Sequence, residues 1–485
     1  MILSTSSFSI VFIKRKEYNE TVQIQTPLLN EWKERKENMK LHFDFEKTKG
    51  RIKPMHAVGQ PPFGVGGDGI QDDMFHYLTE ANIPYSRLHD TGGYFGKDLF
   101  VDVPNLFRDF DADENDPASY DFVFTDALLS KMIESGIEPY FRLGVTIENA
   151  HMIKSYRIFP PKDPEKWARI CEHIVHHYNE GWADGFHFGI TYWEIWNEPD
   201  NEESIELNNM WKGTAQQYYD LYAATSKHLR ACFGDSIKIG GYASTGLYIG
   251  YMEGSKKYQQ PHEITHWEER AIYHTKFFLG FLERVRKDDL PFDFFSHHSY
   301  MDVRLTKRIQ AYAERLLAEA GFPDIEIHLN EWNTDRTLET RGTSKASADV
   351  AAMMIAMQHT KMSVMCFYDA RFGTSVYGGL FNPLTREPFC TYYSLKAFGR
   401  LYALGNEIEV KGDLSDDLFA IAATDGTQRG VLLANIGEEK IIETDLDRGY
   451  TAYLIDEKHF MTKKRISVRN IRLKQFETLY LEKNV

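Results

Sequence analysis

The chain has 485 residues, 42% hydrophobic and 26% charged, the make-up of an ordinary globular protein. That length allows a barrel of about 250–350 residues plus an accessory domain, and the net charge of −15 argues against nucleic acid or anionic lipid as a partner. No run reaches the ~18 apolar residues of a membrane-spanning helix, and no Cys-x-x-Cys pair points to structural zinc.

Residues 1–38 read as a polar, irregular extension. Its short apolar stretch, Phe8 to Ile13, precedes Lys14-Arg15-Lys16, the reverse of the order in a signal peptide. Cys171, Cys232, Cys366 and Cys390 fall in apolar segments, as expected of four buried thiols in a reducing compartment. The reading is a cytoplasmic protein, with Met39 a candidate start. Leu41-His42-Phe43-Asp44-Phe45 alternates like a strand, so residues 39–50 are expected to join a C-terminal β-sandwich.

Between 51 and 403, short β-branched or aromatic runs alternate with amphipathic stretches, the pattern of βα units and a parallel sheet. Eight candidate strands follow in order: Met55–Gln60, Tyr85–His89, Glu138–Leu143, Tyr192–Asn197, Ile237–Gly241, Phe292–His298, Ile325–Asn330 and Met365–Tyr368. Eight evenly spaced units predict an α/β fold of the closed (β/α)8 TIM-barrel type. Asp163-Pro164-Glu165 starts a helix whose Trp167, Ile170, Cys171, Ile174, Val175 and Tyr178 form one apolar stripe. From 404 to 485, Leu418–Ala422, Arg429–Asn435, Tyr450–Ile455 and Thr478–Leu481 predict an antiparallel β-sandwich, with Asp425-Gly426 as one of its turns.

Two strand ends carry chemistry. Tyr192-Trp193-Glu194-Ile195-Trp196-Asn197-Glu198-Pro199 reads as a buried fourth strand stopped by Pro199, holding Glu198 at the active rim of the barrel. Ile325 to Thr334 reads as a seventh strand ending in Glu331-Trp332-Asn333. Two carboxylates facing each other across a barrel mouth are what glycosidic cleavage needs. One protonates the leaving oxygen and the other attacks the anomeric carbon, at a spacing of roughly 5–5.5 Å in retaining enzymes. Glu194 has the parity of Glu198 and is expected deeper in, as a paired structural carboxylate. Glu326 has opposite parity to Glu331 and is expected to face the helices.

Trp-Glu-Ile-Trp-Asn-Glu-Pro on strand four with Asn-Glu-Trp-Asn-Thr on strand seven resembles the clan of retaining (β/α)8 glycosidases, and within it glycoside hydrolase family 39. Tyr85-Ser86-Arg87-Leu88-His89 is similar to that family's second strand, and His298-Ser299-Tyr300 to its sixth. Gly378-Gly379-Leu380, Pro388 and Tyr392-Tyr393 are similar to the segment after strand eight. The resemblance implies Glu198 as acid/base and Glu331 as nucleophile. It implies Asn197 on the sugar 2-hydroxyl and Arg87 beside Glu331, lowering its pKa, while the Glu331 charge raises that of Glu198. His298 and Tyr300 would orient Glu331 or the sugar, with His89 and Trp332 as further sugar contacts. The chain departs from the family in Leu329-Asn330 and in the loops Pro61-Pro62-Phe63-Gly64 and Asp90-Thr91-Gly92-Gly93-Tyr94.

The first expectation is an exo-acting β-xylosidase on oligosaccharides. Next come the same mechanism on an α-L-arabinofuranoside, β-glucoside, β-galactoside or uronide, and a non-catalytic carbohydrate-binding barrel. No cofactor or metal is implied, since two carboxylates supply acid, base and nucleophile; homo-oligomer formation is left open. Gly64-x-Gly66-x-x-Gly69 follows Pro61-Pro62 and carries Asp68, which would repel a pyrophosphate. His173 and His177 have metal-capable spacing without a third ligand and read as a solvated helix face.

Overall fold

The computed structural model describes residues 38–485 except 67–68, 72–73, 94–98, 147–157, 254–261, 335–336, 338 and 373–376. The expectations for the N-terminal extension and for Tyr94 lie outside the described residues.

Eight parallel strands close into a barrel in sequential order. They are Ala57–Gly59, Tyr85–Leu88, Glu138–Leu143, Tyr192–Ile195, Lys238–Ser244, Phe294–Ser299, Glu326–Trp332 and Met362–Phe367. Each answers one predicted run. Alternate residues point inward and build layers. The lowest layer is aromatic: Tyr140 stacks on Tyr192 at 5.3 Å and Phe294 on His328 at 4.6 Å. Two residues further along each strand stand Arg87, Arg142, Glu194, Ser296 and Asn330, a buried polar layer under the barrel mouth. Gly240 is required where strand five meets strand six, because a Cβ there would lie 2.3 Å from the carbonyl of Phe294.

Strand seven breaks its own alternation. Glu326, His328 and Asn330 all point inward: Glu326 accepts from Tyr192 Oη at 3.0 Å, and Asn330 Nδ2 donates to Glu194. The ladder to strand six then skips a residue, pairing His297 with Leu329 but His298 with Glu331. This bulge at Asn330 resets the parity, so Glu331 also points inward. The expectation that Glu326 faces the helices is corrected by it.

The helix Pro164–Glu180 starts as predicted, with Asp163 capping the amides of Glu165 and Lys166 and the six-residue stripe buried. His177 does not lie on a solvated face. It is buried, stacks on Phe122 at 3.6 Å and meets Asp126 at 3.0 Å. Cys232 is exposed, whereas the other three thiols are buried. Gly64–Gly66 and Gly69–Gln71 pair as an antiparallel hairpin rather than opening a helix.

The expected sandwich takes the form of one nine-stranded sheet, antiparallel except where Asn38–Leu41 runs parallel to Ile441–Thr444. The strand Asn38–Arg51 joins it beside Asn406–Gly412. One face encloses a small core of its own, including Leu41, Phe43, Leu418, Leu433 and Leu481. Along Leu418–Thr424 the alternate residues Phe419, Ile421 and Ala423 pack into the barrel's core instead, so both faces of this strand are buried.

Candidate active site

The end of strand four is bent into place. After Ile195, Trp196 adopts φ 75° and Glu198 φ 47°, both in the left-handed region, so the strand stops at Ile195, short of the predicted end at Asn197. Such conformations cost of order 1–3 kcal/mol and are held by their surroundings. Trp196 turns outward and lies edge-on to Trp211 at 4.9 Å, while its Nε1 donates to Met210 O at 3.0 Å. The amide of Glu198 donates to Ala243 O at 3.0 Å. Asp200, fully buried, accepts from Ser244 Oγ at 2.6 Å and from the Thr245 amide at 3.0 Å, tying the segment to the loop after strand five. Asn197 and Glu198 thereby both face the mouth.

Arg87 is the hub beneath them. Its Nη2 lies 2.6 Å from Glu194 and 2.7 Å from Asn197 Oδ1, and its Nη1 lies 3.3 Å from Glu331. Burial disfavours its cation, but the charges of Glu194 and Glu331 outweigh burial and raise its pKa. Glu194 is fully buried and also accepts from Ser296 Oγ at 2.5 Å, so it is a paired carboxylate below the mouth. Asn197 keeps Nδ2 buried without a hydrogen-bond partner among the described residues and lines the pocket.

Glu198 and Glu331 meet on one imidazole. His298 Nδ1 lies 2.7 Å from Glu198 Oε1 and its Nε2 3.7 Å from Glu331 Oε2. One carboxylate oxygen from each glutamate and a nitrogen of His298 all fall within 4.8 Å of one another. Asn201 Nδ2 donates to Glu198 at 3.1 Å, and Tyr300 Oη donates to Glu331 Oε1. Burial pushes Glu331 up, and the Glu198 charge adds to it against His298 and Arg87. Burial acts the same way on Glu198, yet the hydrogen bond and charge of His298 bring it below the usual range. The expected order of the two carboxyls is therefore reversed, because the imidazole sits directly on Glu198. His298 is itself raised: burial opposes its cation, and the two glutamates outweigh burial.

The family model for glycosyl hydrolases family 39 matches residues 81–374, a stretch that carries both glutamates. The chain belongs to that family. As a family 39 glycoside hydrolase it is 24% identical over 266 residues to a "beta-xylosidase" of Geobacillus stearothermophilus. That match spans 49% of this chain and 46% of the relative, so the chain covers about half the relative's length. Among solved structures, a glucosidase from Croceicoccus marinus superposes with a TM-score of 0.71 at 19% identity, over 92% of this chain and 99% of that one. A family 39 β-xylosidase from Caulobacter crescentus gives 0.60 at 14% identity, over 92% and 100%. At these identities the likeness is one of fold.

In this family 39 chain the pocket brings together Asn197, Glu198, Glu331, His89 and Tyr300, all named from sequence. Arg87 and His298 support the carboxylates from below. His89 is held neutral by burial, helped by the Arg142 and Arg87 charges, and its Nδ1 has no hydrogen-bond partner among the described residues. Trp332 is not in the pocket. The bulge that turns Glu331 inward turns Trp332 outward, where its buried ring lies edge-on to Phe367 at 5.4 Å. Sequence reasoning missed Asn201, Trp267, Arg270, His274 and Tyr377. Tyr368 closed the last predicted strand, and Asn201 stands three residues past Glu198; the rest lie on helices or loops with no local signal.

Proposed function

We propose that this hydrolase is a retaining, exo-acting β-xylosidase of the cytoplasm, with Glu198 as acid/base and Glu331 as nucleophile. The observation that carries the mechanism is the approach of the two carboxylates, with oxygens within 4.8 Å. That fits the short spacing of double displacement, about 5–5.5 Å, rather than the roughly 6.5–9.5 Å that leaves room for a water in inverting enzymes. In the first step the Glu331 carboxylate attacks the anomeric carbon while the proton of Glu198 passes to the leaving oxygen. In the second, a water gives its proton to Glu198 and displaces Glu331. Tyr300 and Arg87 stabilise the Glu331 carboxylate, and Asn197 Nδ2 is placed to meet the sugar 2-hydroxyl. The proton needed at Glu198 is shared with His298 across the 2.7 Å contact, so the pair supplies it even though Glu198 alone favours the anion.

The name of the Geobacillus stearothermophilus relative supports the xyloside. Free cysteines, three of them buried, support a reducing compartment. A panel of aryl glycosides (β-xyloside, α-L-arabinofuranoside, β-glucoside, β-galactoside, uronide) with wild type and Glu331→Gln tests the reading. Fastest cleavage of the β-xyloside with a dead variant is expected. Preference for another glycone that still needs Glu331 would overturn the substrate and keep the mechanism. Sugar binding without hydrolysis of any member would favour a carbohydrate-binding barrel.

A further inference from the structure

Away from the barrel mouth, a second group of ligating side chains meets on the two helices that flank strand four. Pro164–Glu180 leads into that strand and Ala215–Phe233 follows it. Glu172 and His176 stand one turn apart on the first helix, and His228 and Cys232 one turn apart on the second, so each pair shares a face. His228 Nε2 meets Glu172 Oε2 and lies 3.9 Å from Cys232 Sγ. One ligating atom from each of Glu172, His228 and Cys232 falls within 4.8 Å of the other two. Glu172 is held from its other side: His176 Nε2 lies 3.4 Å from Oε1, and His176 Nδ1 lies 2.6 Å from Glu180 Oε2. The His173 and His177 pair of the sequence takes no part, since those rings turn to Arg169 O at 2.8 Å and to Asp126 at 3.0 Å.

We propose that Glu172, His228 and Cys232 bind one zinc ion, which clamps the helix Pro164–Glu180 to the helix Ala215–Phe233. Thiolate, imidazole and carboxylate together are a zinc donor set, whereas calcium and magnesium take oxygen ligands. In a tetrahedron with Zn–S about 2.3 Å and Zn–N about 2.0 Å, sulfur and nitrogen stand about 3.5 Å apart. The 3.9 Å between Cys232 and His228 closes to that with a small side-chain rotation. Glu172 supplies the third bond through Oε2, and water takes the fourth position. Cys232 is exposed, and Glu172 and His228 are half-buried, so an ion enters directly from solvent. On binding, the Cys232 thiol gives its proton to solvent and the sulfur bonds as thiolate, while His228 binds as a neutral ring through Nε2. His176 is a positioning residue that fixes the Glu172 carboxylate, and Glu180 fixes His176 in turn. The site shares no residue with the barrel mouth, so it stands independently of the glycosidase mechanism.

The test titrates the reduced, metal-free chain with Co2+, a spectroscopic stand-in for zinc. One equivalent per chain is expected, with a thiolate-to-cobalt charge-transfer band that Zn2+ displaces. Cys232→Ser should abolish the band. His228→Asn should weaken binding about a hundredfold, and His176→Asn about tenfold with the band kept. Glu331→Gln separates this site from the ligating groups at the mouth. Zinc should raise the melting temperature of wild type and of Glu331→Gln alike, and leave that of Cys232→Ser unmoved. Absence of the band, or a band or zinc-induced shift that survives Cys232→Ser, would overturn the site.

Discussion

His298 touches both carboxylates, and its role can be separated from theirs by pH. Its pKa stands above the ordinary imidazole range, because the Glu331 and Glu198 charges outweigh burial. The proton shared with Glu198 is therefore lost only above that range, and this loss sets the basic limb of kcat/KM. In His298→Asn the proton must stay on a carboxyl alone, so the limb is expected to move to lower pH. An unmoved limb would show that His298 only fills space. Glu194 is a different case. It is fully buried between Arg87, Ser296 and Asn330, and Glu194→Gln leaves Arg87 with less counter-charge. Breaking such a pair costs roughly 3 kcal/mol, read as a lower denaturation midpoint. A variant of unchanged stability would contradict the structural role given to Glu194.

At the scale of elements, strand identity was legible and strand parity was not. All eight barrel runs were visible because short runs rich in β-branched and aromatic residues alternate with longer amphipathic stretches, even though a polar layer interrupts several of them. The bulge at Asn330 and the left-handed residues at Trp196 and Glu198 leave no mark in hydrophobic pattern, since they arise from tertiary register. They decide which way Glu326, Glu331 and Trp332 point. In the second sheet, Asn406–Gly412, Lys440–Thr444, His459–Lys464 and Asn470–Leu473 were overlooked because charged residues dominate their exposed faces. Helix docking is equally silent in sequence. Within the helix Cys390–Leu404, a Cβ on Gly399 would sit 1.8 Å from Ala81 O. Gly399→Ala must push this helix off the barrel, and about 2 kcal/mol of destabilisation is expected from overpacking. A melting temperature equal to or above wild type would contradict that close approach.

For the molecule as a whole, stability should depend on buried neutral histidines. His56 packs on Phe398 and Tyr402 with its Nε2 on Asn82 O at 2.8 Å, and burial lowers its pKa to about 4 despite that hydrogen bond. Unfolded, it takes a proton below about 6.5. Between these values the unfolded chain binds more protons, so this contribution to stability is lost as pH falls. In His56→Asn the slope of stability against pH between 5 and 6 should be smaller by about 1.2 kcal/mol per pH unit. Denaturant titrations at the two pH values measure it, and an unchanged slope would mean His56 is protonated in the fold. The two glutamates proposed as the catalytic pair stood out at this scale because each strand end carries its own motif. The pocket residues Trp267, Arg270 and His274 did not, because they come from the helix His266–Asp288 with nothing local to mark them.

The central claim, double displacement through Glu331, is tested most directly by trapping the intermediate. A 2-deoxy-2-fluoro glycoside of the preferred glycone, carrying a good leaving group, should inactivate the enzyme with time. It should add one glycosyl unit to the intact mass, and peptide mapping should find that unit on Glu331. A label on Glu198, or turnover that inverts the anomeric centre with no adduct, would contradict the account.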